Sequence, residues 1–241
     1  MFDFFLNKVR KLVYYTSYSA SRDALKDERN EINVYNNIEL KLQMNALEST
    51  ANYIEQKLYN VPSCDNHYSL LDRAISLAEK TGLFCEFGVY TGGTINYIAK
   101  QVNIVHGFDS FEGLPEYWRN GFDKGTFALE DKTHLPSVGE NVKLHVGWFD
   151  ETLPSFIEEN SENISFLHID CDLYSSTKTI FQFLKQRIKS GTVIVFDEYF
   201  NYPFWQQHEF KAFQEFVAEQ NLKYQYICYH KYNQQVVVKI L

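Results

Sequence analysis

Residues Leu83–Thr94, L-F-C-E-F-G-V-Y-T-G-G-T, constrain this chain more than any other stretch. A short apolar run passes through Glu86, a turn with glycines at 88, 92 and 93 follows, and Ile95, Ile98 and Ala99 then recur at helical spacing. The pattern predicts a buried strand, a tight turn and a helix start. Glycine is needed there because the backbone must turn sharply and approach a ligand more closely than a Cβ allows. The following helix N-terminus offers unpaired N–H groups and the positive end of a dipole. A second apolar run, Ile104–Phe108, ends at Asp109, 23 residues beyond Glu86. An acid about 20 residues after such a turn commonly holds ribose hydroxyls.

Downstream, strand and helix signals alternate. Strands are predicted over Leu83–Phe87, Ile104–Asp109, Val142–Val146, Ile164–Asp170 and Thr192–Asp197, and helices over Gly92–Lys100, Leu153–Asn160, Tyr174–Lys189 and His208–Gln220. Short apolar strands without period-two alternation imply a mainly parallel sheet covered on both faces. Tyr224–Tyr229 and Gln235–Ile240 read as a terminal antiparallel hairpin. The expected fold is therefore α/β, a doubly wound, Rossmann-like sheet over 63–241, behind an N-terminal helical extension over 1–62. In that extension Phe5, Val9, Leu12 and Val13 share one helical face. Leu40, Met44, Leu47, Ala51, Ile54 and Leu58 form a longer stripe suited to a homodimer seam or a lid. A third helix, about Tyr68 to Lys80, is expected to close on Gly82. Ser110–Leu135 has no clear period and follows Asp109 directly, so it is expected to be a flexible cover over the site.

Composition narrows the function classes. With 23 Lys+Arg against 31 Asp+Glu the net charge is −8, which disfavours a nucleic-acid partner. The four cysteines (64, 85, 171 and 228) form no C-x-x-C pair and no zinc spacing, and are expected to be reduced, as in a cytoplasmic protein. No run reaches the ~18 apolar residues of a membrane span, and the N-terminus lacks the apolar core of a signal peptide.

Four predicted strands end on or beside an acid: Glu86, Asp109, Asp170 and Asp197. Asp172 and Glu198 follow closely. Carboxylates crowded at one crevice repel unless a cation sits among them, and hard oxygen donors suit Mg²⁺ or Ca²⁺ rather than zinc. Asp170, Asp197 and Glu198 are the metal candidates, Asp172 serving equally well as the cap of the Tyr174 helix. His106 and His168 read as core histidines, and His134 and His208 as alternative bases. Tyr199, Tyr202, Phe204 and Trp205 either wall an acceptor pocket or anchor a loop.

The motifs E-F-G-V-Y-x-G-G-T, F-D-S-F-E-G-L-P (108–115), G-W-F-x-x-T-L-P (147–154), H-I-D-x-D-L-Y-x-S-T (168–177) and D-E-Y (197–199) together resemble the macrocin O-methyltransferase family. The resemblance implies a class I methyltransferase fold and an S-adenosylmethionine-dependent O-methyltransferase acting on sugar hydroxyls. It implies cofactor contacts from Glu86, Gly88, Tyr90, Thr91, Gly92, Thr94, Asp109, Ser110 and Asp170, with Phe149 and Asp150 beside the adenine. It also implies Mg²⁺ on the positions of Asp170, Asp197 and Glu198, and a proton acceptor in Asp170 or Asp172. The chain has Cys171 and Glu198 where the family usually has Gly and Asp. A D-x-D reading of Asp170-Cys171-Asp172, as in a metal-dependent glycosyltransferase, is the rival. It leaves the glycine turn unexplained.

Overall fold

The computed structural model describes residues 36–131 and 135–241. The Phe5–Val13 stripe and His134 lie outside the described residues. In chain order the elements are α1 (Ile38–Lys57), β1 (Ser63–Cys64), α2 (His67–Leu77), β2 (Leu83–Phe87), α3 (Gly93–Ala99), β3 (Val105–Asp109), β4 (Val142–Val146), α4 (Phe149–Glu159), β5 (Ile164–Ile169), α5 (Tyr174–Leu184), β6 (Ile188–Phe196), α6 (Glu209–Glu219), β7 (Tyr224–His230) and β8 (Val236–Ile240). The strands form one sheet in the order β1-β7-β8-β6-β5-β2-β3-β4. β2 to β6 run parallel, and β8 pairs antiparallel with both β6 and β7.

The order reverses at β2, which pairs with β3 on one side and β5 on the other. Such a switch point opens a crevice beyond the strand ends. Register aligns what borders it. Phe108, Phe87, Ile169 and Phe196 form one row across four strands. The next backbone bonds continue the ladder: Gly88 N–H donates to Phe108 (3.0 Å), Asp170 N–H to Phe87 (2.9 Å) and Asp197 N–H to Ile169 (2.9 Å). The acids that follow these strands therefore leave the sheet side by side.

Central strands β2, β3 and β5 are buried on both faces and mainly apolar, as a covered parallel sheet demands, with Glu86, His106, Ser165 and His168 as buried polar exceptions. Edge strand β4 is half-exposed. Two clusters form the core, one around Phe87, Phe108, Ile169 and Phe196, the other around Leu71, Ile95, Phe166 and Val195.

Several expectations shift. β6 starts at Ile188, so α5 stops at Leu184 instead of reaching Lys189. Helix α4 begins at Phe149, because Glu151 folds back to accept the Trp148 N–H (3.2 Å). Helix α2 ends at Leu77, and Gly82 does not cap it. A Cβ there would lie 2.1 Å from Ser165 Oγ, so close packing on β5 explains that glycine. The α1 stripe is also rotated. Ala46, Thr50 and Leu58 are buried while Met44 and Leu47 are about half-exposed. The inward face is fixed by polar bonds: Asn201 N–H donates to Thr50 (2.9 Å), and the Trp205 indole donates to Ser49 (3.1 Å). The segment from Ser110 is ordered by its own bonds, Leu114 N–H to Thr126 (2.8 Å) and Gly125 N–H to Leu114 (2.8 Å), with Trp118 in the core. A hydrophobic anchor, not looseness, holds it over the crevice.

Candidate functional site

A cleft of about 730 Å³ opens at the carboxyl ends of β2 to β6. The turn that follows β2 builds one wall. Gly88 has φ +97°, and a Cβ on it would fall 1.8 Å from the carbonyl oxygen of Asp170. Only glycine fits. Asp109 ties the turn down: Oδ2 accepts the Val89 and Tyr90 N–H groups (both 2.8 Å), and Oδ1 accepts the Phe111 N–H (2.7 Å). An ionised carboxylate has about four acceptor positions, so Asp109 fixes the turn and still presents an edge to the cleft.

Ten of the residues singled out in the sequence line this cleft: Gly88, Tyr90, Asp109, Ser110, Phe149, Asp150, Asp170, Asp172, Asp197 and Glu198. Four do not. Glu86 is fully buried and faces His168 on the adjacent strand, its Oε2 lying 3.1 Å from Nδ1. The two residues share a register row, which places their side chains against each other. Gly92 is the αL cap of α3 and faces Val138 and Pro136, while Thr91 is exposed and Thr94 half-buried.

The opposite wall holds the acids. Oxygens of Asp170, Asp197 and Glu198 lie within 4.8 Å of one another. Burial, then the Asp197 charge, pushes Asp170 and Glu198 well above the ordinary carboxylate range. Asp172 is pushed up to about 7 by burial, the Arg119 guanidinium opposing and Asp197 adding to the rise. Asp197 moves the other way. Burial would raise it, but the His168 and His67 imidazoles beside it overcome that and hold it well below. Gln235 donates to both its oxygens (3.1 Å each).

Glu209, buried in the first turn of α6, binds both acid-bearing loops. Oε1 accepts the Asp172 N–H and Oε2 the Glu198 N–H (both 3.2 Å). Asp172 has φ +65°, an uncommon state for a residue with a side chain, and that bond helps hold it. Sequence reasoning missed Glu209, Gln235 and Glu116. Glu116 accepts from Ser175 Oγ (2.5 Å) at the cleft rim. None follows a strand directly, so strand-end logic passes over them.

Of the histidines, His106 pairs with His145 (3.0 Å) under β4, far along the sheet from the acids. His208 is N-terminal to α6 against Trp118 and Tyr202 and does not line the cleft. Tyr199, Tyr202 and Trp205 are buried anchors rather than cleft walls, and Phe204 is exposed.

The profile of a family described as "Methyltransferase domain" matches residues 85–199, the span from β2 through the acid-bearing loop after β6. The match falls on the part of the chain that builds the cleft. The chain is 28% identical over 145 residues to a Streptomyces olivaceus protein, 8-demethyl-8-(2,3-dimethoxy-alpha-L-rhamnosyl)-tetracenomycin-C 4'-O-methyltransferase. The match covers 49% of this chain and 53% of that protein. The chain thus spans about half the length of the curated relative it matches. Its fold resembles the crystal structure of CalS11, a calicheamicin methyltransferase, with TM-score 0.56, 20% identity and coverage of 92% and 91% of the two chains. It also resembles the O-methyltransferase NovP, with TM-score 0.53, 21% identity and coverage of 71% and 76%. At these identities the structures speak to the fold.

Proposed function

We propose that this chain is an S-adenosylmethionine-dependent O-methyltransferase that acts, with Mg²⁺, on a hydroxyl of a sugar or sugar-containing small molecule. One observation carries the reading. A turn that admits only glycine and a group of hard oxygen donors face each other across one cleft at the switch point. The relative named for 4'-O-methylation of a rhamnosyl group supports the acceptor class.

The donor set fits a divalent ion. Asp170, Asp197 and Glu198 offer only oxygen, and Glu198 Oε2 is buried without a hydrogen-bond partner. Asp170, Asp197 and Glu198 would hold the ion. Gly88, Tyr90, Asp109, Ser110, Phe149 and Asp150 would hold the cofactor. Glu86, Thr91, Gly92 and Thr94, expected as further cofactor contacts, do not line the cleft. When bound, the sulfonium supplies an activated methyl group and the ion acidifies a hydroxyl it holds. The protein then has to orient the acceptor and take its proton. Alignment alone can supply roughly 7–11 kcal/mol. Asp172, held near neutrality beside Arg119, suits the proton-accepting role at physiological pH, with Asp170 as the alternative. Ser175, Ser176, Thr179 and Asn233 line the acceptor side with neutral donors and acceptors, as a polyhydroxylated ligand requires. Four free cysteines fit a cytoplasmic setting.

Calorimetry with S-adenosylhomocysteine, a UDP-sugar and Mg²⁺ tests the proposal. Binding of the first, strengthened by Mg²⁺-dependent acceptor binding, is expected. Binding of the UDP-sugar alone would support the D-x-D reading instead. Full methyl transfer by Asp170→Ala, or undiminished turnover in excess EDTA, would remove the metal role.

A further inference from the structure

Behind the acid wall lies a second group of potential ligands with different chemistry. His67, the first residue of α2, His168 on β5 and Asp197 after β6 bring their ligand atoms within 4.8 Å of one another. His67 Nδ1 lies 3.3 Å and His168 Nε2 3.7 Å from Asp197 Oδ1. A tetrahedral zinc ion with Zn–N and Zn–O bonds near 2.0–2.1 Å has ligand–ligand edges of roughly 3.4 Å. The observed spacings are those of such edges.

Hydrogen bonding orients the buried imidazole. His168 Nδ1 faces Glu86 Oε2 at 3.1 Å, and with the ring proton on Nδ1 the lone pair of Nε2 points toward Asp197. His168 is fully buried, and its Nε2 has no hydrogen-bond partner. A carboxylate behind a histidine, fixing its tautomer while the other nitrogen points at a ligand position, is the usual outer shell of a metal-bound imidazole. Gln235 holds Asp197 from its other side.

We propose that His67, His168 and Asp197 form a binding site for a borderline divalent ion of the zinc type, with Glu86 as its outer-shell carboxylate. Two nitrogens and one oxygen select Zn²⁺ over Mg²⁺, so this site differs in preference from the all-oxygen group that shares Asp197. Three protein ligands leave a fourth position for water or an exogenous donor. The site would join α2 to the ends of β5 and β6. It does not depend on the methyl-transfer reading.

The test uses the full chain, stripped with a chelator and dialysed against Zn²⁺, or against Co²⁺ as a spectroscopic probe, in millimolar Mg²⁺. One equivalent of zinc per chain by elemental analysis, and the intense visible bands of tetrahedral Co²⁺, are expected. His67→Ala, at the partly exposed edge of the group, should lose the bound metal. Glu86→Gln should weaken zinc binding about 10–100-fold. Cys64→Ser should retain zinc, since that nearby thiol is not a ligand. Substoichiometric zinc in the parent chain, unchanged zinc affinity in His67→Ala, or loss with Cys64→Ser would each overturn the assignment. So would nitrogen NMR showing His168 as an imidazolium in the presence of zinc. Calorimetry with S-adenosylhomocysteine on the same samples separates the two ideas. A parent chain that binds zinc but not the nucleoside refutes the methyltransferase reading alone, and the converse refutes the zinc site alone.

Discussion

Replacing Gly88 by alanine is the most direct probe of the cleft. The new methyl would be built 1.8 Å from the Asp170 carbonyl oxygen and 2.8 Å from its carbonyl carbon, both backbone atoms that no rotamer change can move. Relief requires β2 and β5 to separate by more than about 1 Å at their ends, an overpacking that costs typically 1–3 kcal/mol. A non-glycine residue at φ +97° adds roughly 1–2 kcal/mol. The ladder bonds from Gly88 to Phe108 and from Asp170 to Phe87 are strained together, at about 1 kcal/mol each. The sum is about 4–7 kcal/mol, or a fall in Tm of roughly 8–28 °C for a chain this long. Binding of S-adenosylhomocysteine should fall below detection. Gly93→Ala is the control: nothing lies within 4 Å of its Cβ position, and it opens α3, where alanine is the better helix former. That variant should melt at or slightly above the parent temperature. Thermal denaturation and calorimetry on both proteins decide the matter. A Gly88→Ala chain that melts within about 3 °C of the parent and binds the nucleoside normally would refute the reasoning.

Three further outcomes follow from the acids and histidines. Asp170→Asn removes one charge from a group of mutually repelling buried carboxylates, so the metal-free chain should gain about 1–2 kcal/mol at pH 8 by urea unfolding, while Mg²⁺ should no longer raise its Tm; a destabilised variant would contradict this. Glu209→Ala strands the Asp172 and Glu198 N–H groups, at about 1–3 kcal/mol each, partly offset by loss of a buried carboxylate. A net loss of about 2–4 kcal/mol is expected, and a loss under 0.5 kcal/mol (roughly the scatter of surface substitutions) would show that the staple is idle. Burial, reinforced by His145 and Lys143, lowers His106 to about 4, whereas the unfolded residue titrates near 6.5. Between those values the unfolded chain binds more protons, so stability rises with pH across the window and is lost as pH falls from 6.5 toward 4. The linkage is worth about 3 kcal/mol at most, nearer 2 kcal/mol after partial solvent screening. Urea unfolding of the parent and of His106→Gln at pH 7 and pH 5 should show the smaller pH loss in the variant; equal losses would sink the assignment.

Much of the sheet was legible because its strands leave a local mark. Leu83–Phe87 and Val142–Val146 appear at their predicted boundaries, and for the first of them burial on both faces leaves little choice of residue. The acids at the ends of β3, β5 and β6 were legible as a group because register turns equal strand ends into neighbours. What was not legible depends on rotation and on long-range pairing. Glu86 sits near a strand end, yet its side chain is buried against His168 and does not line the cleft. In α1, Met44 and Leu47 carried the apolar stripe, but Thr50 and Ser49 turned inward because the 201–205 segment presents an N–H donor and an indole to them. Gln235 and Glu209 reach the acids from elements with no site signal of their own.

Glu209 also sets how this cleft can vary. Both oxygens of one side chain hold the loops that carry Asp172 and Glu198, and that side chain has no surface in the cleft. The separation between the two loops is therefore governed from the far side of the wall, as a hinge pin governs two leaves. Rim residues such as Glu116, Ser175 and Asn233 can change to suit a different acceptor while the acids keep their distances. A change at position 209 would move both loops at once.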